Sequence, residues 1–455
     1  MNASSHPRMT ERKTILKHAG TVLIGQLAVV AFGVTDTIIA GRYDPQALAV
    51  LSVSSAVYVS VYVTLLGVIQ ALLPMYAELY GGKKFCSVGE LLRQSLYVWL
   101  ALSVIGAMVL LSPYYLLEST QVPVSIQAEA QSYLGILAVA LPAALFFRLY
   151  SSLNQSIGKP RLVTWIQIAA LLCKIPLSIV LTFGTSASQG MGIAGCALAT
   201  VIVSFVMCFI ALILLWRSDI YQRFEIWKPM AKPDFAKLKQ MAKLGIPNGV
   251  SVLVEVTSFT LMALFIARQG TTATASHQIA ANMTALLYMI PLSFSIAISA
   301  RLSYWIGAAN FQQMRHVLAI GFQFVVMEAL LLATVLFIFS NEIAMVYAKD
   351  DQVAKLSAQL LLLVGFYHIG DAVQTLCFFV LRSFKVTFLP MMVYGSMLWG
   401  VGLSGGYLLA YEGIGNIAPT QSPDAFWLMS VIALVLVCVG LLLLIGRVLR
   451  STKYR

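Results

Sequence analysis

The chain has 455 residues, of which 59% are apolar and only 11% charged, and its mean hydropathy is +0.85. A soluble domain carries roughly a quarter of its residues charged, so this composition excludes a soluble globular protein and points to lipid as the solvent. The net charge of +12 raises nucleic-acid binding as a reading. The basic residues sit in short loops between apolar runs, however, which is an orientation signal, and nucleic acid is set aside as a partner.

Inside lipid, only helices and closed barrels satisfy every backbone polar group. A barrel needs short alternating segments, whereas this chain shows apolar runs of roughly twenty residues. The sequence therefore predicts an all-α polytopic membrane protein of 12 transmembrane helices, with spans near 16–40, 46–72, 91–112, 131–153, 161–184, 191–216, 241–267, 273–303, 315–339, 353–381, 386–411 and 425–447. The segment before the first span is polar and basic up to Lys17, and no cleaved signal peptide is expected. Cys86, Cys173, Cys196, Cys208, Cys377 and Cys438 form no close pair, so neither a disulfide framework nor a zinc site is indicated.

The first span carries a buried acid, Asp36. The fifth carries a lysine, Lys174, about thirteen residues in, or roughly 20 Å of helix. Arg148 and Arg301 fall near span ends, where long side chains reach the interface. A basic stretch, Arg217–Lys243, with Pro229 and Pro233, divides the spans six and six and reads as a solvated linker facing lipid headgroups. The expected organisation is a six-helix lobe at 1–222, a cytoplasmic linker at 223–240 and a second six-helix lobe at 241–455.

In the second half, Glu255 lies in the seventh span and Asp371 in the tenth. A carboxylate inside a membrane helix costs at least a few kcal/mol and is a functional-site candidate by default. Glu328 stands alone in the ninth span and reads as a satisfied or lipid-boundary acid. Tyr367, His368, Asp371 and Gln374 recur at spacings of three and four and share one helix face. Asp371 there, with Glu255 as partner, can supply hard oxygens to Na⁺, and His368 can instead carry a proton or serve as a core hydrogen-bonding group. Gln278 and Asn282 either line a substrate cleft or bond neighbouring helices.

Loop charges alternate as twelve spans require. Arg8, Arg12, Lys13, Lys17, Lys83, Lys84, Arg93, Lys159, Arg161, the Arg217–Lys243 stretch, Arg315, Arg382, Lys385, Arg447, Arg450, Lys453 and Arg455 fall on one side. Glu118, Glu129, Asp350, Asp351, Glu412 and Asp424 fall on the other, with Arg42, Arg268 and Lys349 as exceptions. The positive-inside rule then puts both termini in the cytoplasm. A shift of 226 residues also aligns the halves: Gly41-Arg42 falls on Ala267-Arg268, Gly81 on Gly307 and Phe85 on Phe311. Such a parallel repeat suits a transporter that binds at the interface of its halves.

Four stretches carry a family resemblance: Val34-Thr35-Asp36-Thr37-Ile38-Ile39-Ala40-Gly41-Arg42, Gly245-Ile246-Pro247 with Glu255, His277-Gln278-Ile279-Ala280-Ala281-Asn282 with Met289-Ile290-Pro291, and Gly370-Asp371-Ala372-Val373-Gln374 with Leu381-Arg382. In this order they resemble the multidrug and toxic compound extrusion (MATE) transporters, NorM-like branch. The resemblance implies two pseudo-symmetric six-helix lobes around a cleft. It also implies antiport of organic, mainly cationic drugs against Na⁺ or H⁺ in a bacterial inner membrane, by a monomer without a cofactor. Coupling falls by this resemblance on Asp36, Glu255 and Asp371, with a tentative Na⁺ site at Glu255 and Asp371. Tyr367, His368 and Lys174 are cation-site neighbours, and Gln278, Asn282 and Gln374 are cleft candidates.

Two positions depart from the family. Relatives often carry Asn where this chain has Lys174 and Ser178, and a hydroxyl where it has Cys196. Lys174 is then either an internal counter-ion for Asp36 or a snorkelling side chain. Arg382-Ser383-Phe384-Lys385-Val386 replaces a Gly-rich turn, which suggests a looser turn between the tenth and eleventh spans. Scattered histidines and the absence of a P-loop argue against an enzyme or an ATP-driven pump. A channel, a lipid-linked oligosaccharide flippase of the same superfamily and an exporter of an endogenous metabolite are the other readings.

Overall fold

The computed structural model describes residues 6–112, 124–185, 188–348, 350–413 and 415–451. Glu118, Lys349, Lys453 and Arg455 lie outside the described residues, as do the side chains of His6 and Arg8. Among the described residues the regular structure is helical apart from a four-residue hairpin pairing Gly184–Thr185 with Ser188–Gln189. Eleven helices are long and apolar enough to span a membrane: α1 His6–Tyr43, α2 Pro45–Gly81, α3 Phe85–Leu111, α4 Val124–Ser156, α5 Pro160–Phe183, α6 Ile193–Arg217, α7 Phe235–Ala267, α8 Thr271–Gly307, α9 Phe311–Tyr347, α10 Asp351–Ser383 and α12 Asp424–Arg450. The twelfth span is α11, residues 388–412, which alternates α turns with the π-helical stretches Ser396–Ser404 and Leu408–Glu412. At Gly406, in the α turn between them, a Cβ would sit 2.7 Å from the Phe426 ring, so α11 presses on α12 there.

Helix starts follow local chemistry. Asp44, Asn310 and Asp350 accept hydrogen bonds from the first free N–H groups of α2, α9 and α10, and Pro160 opens α5. Large apolar side chains such as Leu100, Val104, Met108 and Leu111 of α3 stay exposed, as a lipid-facing surface requires.

The chain divides into two compact units. One, the N-terminal unit, is Thr21–Gly249; the other, the C-terminal unit, holds the described residues up to Gly20 and those from Val250 on. The boundaries cut through α1 and α7, so each of these helices contributes to both units. Each unit has its own apolar core, around Tyr150, Leu153 and Tyr221 in the first and Leu376, Val380 and Trp427 in the second.

The repeat reappears as a hydrogen-bond pattern. Between α2 and α3, the N–H groups of Gly82, Lys83 and Lys84 donate to Glu78, Tyr80 and Leu79. Between α8 and α9, those of Ala308, Ala309 and Asn310 donate to Tyr304, Ile306 and Trp305, the same positions shifted by 226. Lys83 (φ 57°) and Ala309 (φ 53°) both adopt the left-handed conformation.

The turn after α10 corrects the expectation of a loose loop. Phe384, Lys385 and Val386 donate to Val380, Arg382 and Leu381, in the pattern that Ile157, Gly158 and Lys159 use after α4. Lys385 takes φ 63° where Gly158 takes φ 73°, so the lysine accepts the glycine's conformation and the turn stays tight.

The linker is also more than a solvated tether. Arg93, Gln94 and Tyr97 of α3 donate to the backbone carbonyls of Glu225, Lys232 and Ala231 at 2.6, 3.0 and 2.9 Å. Lys237 pairs with Glu90, and Gln94 accepts from the Asp234 N–H. Gly89 permits the contact, because a Cβ there would lie 1.8 Å from the Phe224 carbonyl oxygen. Arg148 and Arg301 do not simply snorkel either. Arg148 donates to the Tyr62 hydroxyl at 2.7 Å, and Arg301 grips both carboxylate oxygens of Glu11.

Candidate functional site

The candidate residues fall into two clusters, one in each unit. In the N-terminal unit, α1 brings Asp36 against α5, where Lys174 Nζ lies 3.0 Å from Asp36 Oδ2. The lysine side chain is 1% exposed and the aspartate side chain 12%, so the ammonium does not snorkel. It also donates to Thr200 Oγ1 at 2.5 Å and sits 5.8 Å from the centre of the Phe32 ring. Asp36 Oδ1 is buried without a hydrogen bond. Thr200 was not singled out from the sequence. It stands one turn beyond Cys196, whose carbonyl it bonds at 3.0 Å, and supplies the hydroxyl that the cysteine lacks.

The second cluster lies in the C-terminal unit. Asp371 is buried in α10 and its electrostatic neighbours are Glu255 of α7 and Glu328 of α9. Glu255 itself is partly exposed. Tyr367 is buried and packs edge-on against Phe259 and Trp427, with ring centres 6.0 and 5.6 Å away. Tyr394 of α11 brings its hydroxyl toward Glu255 without reaching hydrogen-bond geometry. Among the described residues no lysine or arginine forms an ion pair with Glu255, Glu328 or Asp371, in contrast to Asp36.

Glu328 corrects the reading of a satisfied or lipid-boundary acid. It is 9% exposed, neither carboxylate oxygen accepts a hydrogen bond, and Oε2 faces His368 Nε2 at 3.6 Å. Nothing near Glu328 in sequence marks this, because its partner arrives from another helix. The signal available was the mid-span charge itself. The cleft candidates separate. Gln278 Nε2 donates to Asn282 Oδ1 at 3.0 Å on an exposed face of α8, while Gln374 is buried and accepts from Thr375 at 3.4 Å. Tyr288 of α8, not named from the sequence, faces both Glu255 and Asp371.

A buried acid paired with an ammonium in one unit, and buried acids without a lysine or arginine ion pair in the other, place polar chemistry inside membrane-spanning helices, where such groups mark functional sites. Comparison with known families agrees: the MatE family pattern matches residues 22–180 and 247–408, once in each half. The chain belongs to the MatE family. It is a multi-pass membrane transporter of small organic compounds and not an enzyme.

The chain is 34% identical to a "Probable multidrug resistance protein NorM" of Aromatoleum aromaticum over 97% of its own length and 94% of that protein's. The fold is that of solved MATE transporters. The eukaryotic transporter AtDTX14 matches with TM-score 0.87 at 16% identity, over 98% of this chain and 97% of that one. The Vibrio cholerae transporter VcmN in its bent form matches with TM-score 0.84 at 18% identity, over 98% of both chains. NorM-type membership and the twelve-helix MATE architecture follow.

Proposed function

We propose that this MATE transporter exports organic cations from the cytoplasm in exchange for Na⁺ or H⁺. It works by alternating access of two six-helix lobes, as a monomer in the bacterial inner membrane with both termini cytoplasmic. The observation that carries this reading is the unequal treatment of buried acids. An uncompensated carboxylate in a membrane helix costs at least a few kcal/mol, and a bound cation or proton removes that cost. Asp36 has a tethered ammonium for this purpose. Among the described residues no lysine or arginine forms an ion pair with Glu255 or Asp371, which supports loading of the coupling ion in the C-terminal unit. Exchange follows if loading these acids favours one conformation and substrate the other, since a ligand shifts an equilibrium only by its differential affinity.

The organic-cation preference is supported by the same acids and the rings around them, Phe259, Tyr367 and Trp427, since aromatic faces attract cations. The name carried by the Aromatoleum relative supports multidrug export. The test is efflux of ethidium from proteoliposomes under separately imposed Na⁺ and H⁺ gradients. Export under at least one gradient is expected. Export under neither would remove the antiport reading.

A further inference from the structure

The Glu328–His368 contact is not absorbed by the reading above. α9 and α10 pack together, and their only facing acid–imidazole pair among the described residues is this one, 3.6 Å apart with side chains 11% and 2% exposed. Both Glu328 oxygens and His368 Nε2 lack hydrogen-bond partners. His368 precedes Asp371 by three residues, so the two lie on one face of α10.

With the hydrogen of the neutral imidazole on Nδ1, the carboxylate faces the Nε2 lone pair and the contact is repulsive, with both groups out of water. One proton between them resolves this. The Nε2–H bond forms, the imidazolium carries the positive charge, and it neutralises the carboxylate as a net-neutral pair. Na⁺ does not serve the contact equally well, because it takes hard oxygen ligands and an imidazole nitrogen is a poor substitute. The other titratable groups around this face are Glu255 on α7, Tyr288 on α8, Tyr367 and Asp371 on α10, Tyr394 on α11 and Cys438 on α12. Arg382, fourteen residues beyond His368 on α10, faces Tyr288, and among the described residues no lysine or arginine forms an ion pair with Glu328 or His368.

We propose that Glu328 and His368 form a proton-loading site of the C-terminal unit, one helical turn from Asp371. The site names the proton as a coupling ion and so rests on the antiport reading above. Loading adds one proton at His368 Nε2; unloading releases it and leaves the carboxylate facing a neutral ring. Each state changes the charge next to Asp371.

The experiment uses full-length protein in proteoliposomes with ethidium as probe. Wild type is expected to export ethidium under an inward H⁺ gradient, with a rate that depends on pH. Glu328→Gln and His368→Asn should each lose at least tenfold in proton-driven rate and flatten the pH profile. The exchanged pair, Glu328→His with His368→Glu, should restore both, which a merely structural role would not. Ethidium added to solubilised wild-type protein in weak buffer should release protons, a measurement that needs no variant. Unchanged pH profiles in both single variants, or no proton release, would overturn the proposal. So would wild-type export driven by Na⁺ alone. Absence of export under any gradient would instead defeat the antiport reading itself.

Discussion

Removing Lys174 alone should damage this protein more than removing Lys174 and Asp36 together. At 3.0 Å and an effective dielectric constant near 20, the pair attracts by about 5 kcal/mol. Much of that gain offsets the desolvation of two charges, so the pair adds little against two apolar residues. Breaking it is different. Lys174→Met leaves Asp36 buried with no partner on either oxygen, because Oδ1 already has none. Asp36→Asn leaves a buried ammonium with the Thr200 hydroxyl and the Phe32 ring but no counter-charge. Each single change should cost about 3–5 kcal/mol, and the double variant about 0–1 kcal/mol, a coupling of several kcal/mol. The assay is a double-mutant cycle read by thermal denaturation in detergent and by efflux from proteoliposomes. Additivity within about 0.5 kcal/mol in both readouts would refute the argument. Coupling in stability alone would make the pair a structural element of the N-terminal unit, with ion coupling left to Glu255 and Asp371.

Glu255→Gln and Asp371→Asn should each insert normally and abolish gradient-driven ethidium efflux; full efflux from either, at verified expression, would remove that residue from the mechanism. In a cysteine-free background, a cysteine at Lys232 should resist an impermeant label on intact cells and one at Asn416 should react, and the reverse pattern would overturn the topology. Glu11→Gln should cost about 2–4 kcal/mol by stripping the Arg301 guanidinium of its carboxylate, measurable as a lower melting temperature; an unchanged value would mean the pair contributes nothing. In the linker, the Lys228 ammonium holds Glu225 below the ordinary carboxylate range, and the Lys237 backbone N–H does the same for Asp234. Depressed carboxylates stabilise at neutral pH and lose that contribution as pH falls through their lowered range, so limited proteolysis of the linker should speed up there and not above pH 6.

The twelve spans were legible because lipid imposes one rule on every turn of helix, and the rule is local. Even α11 was placed by its hydropathy, although its π-helical pitch was not. Acids were legible as anomalies for the same reason. Lys174 was found because it too breaks the apolar rule, and His368 because it shares a face with Asp371. The pairing of His368 with Glu328 and the role of Thr200 were not legible, since both arise only across a helix–helix contact. The turn after α10 was misjudged because composition favours glycine at positive φ, while the flanking hydrogen bonds hold Lys385 there regardless. The linker failed in the same way, its docking being set by backbone carbonyls that side-chain charge does not report.

The repeat sharpens what the acids mean. The shift of 226 that superposes the α2–α3 and α8–α9 turns carries Asp36 onto Met262, Glu255 onto Val29, Glu328 onto Leu102 and Asp371 onto Leu145. No acid lands on an acid, although the turns keep their hydrogen bonds and their left-handed residues. Duplication thus explains the scaffold and leaves the chemistry to each half. A helical scaffold must satisfy its backbone in both halves alike, so the turns cannot drift. A buried charge has no such constraint and persists only where something neutralises it. In the N-terminal unit that neutraliser is built in as Lys174, and in the C-terminal unit the proposed antiport supplies it from solution. If, as proposed, the coupling ion loads in the C-terminal unit, measured ion stoichiometry should follow substitutions at Glu255, Glu328 and Asp371 while remaining indifferent to the joint removal of Asp36 and Lys174.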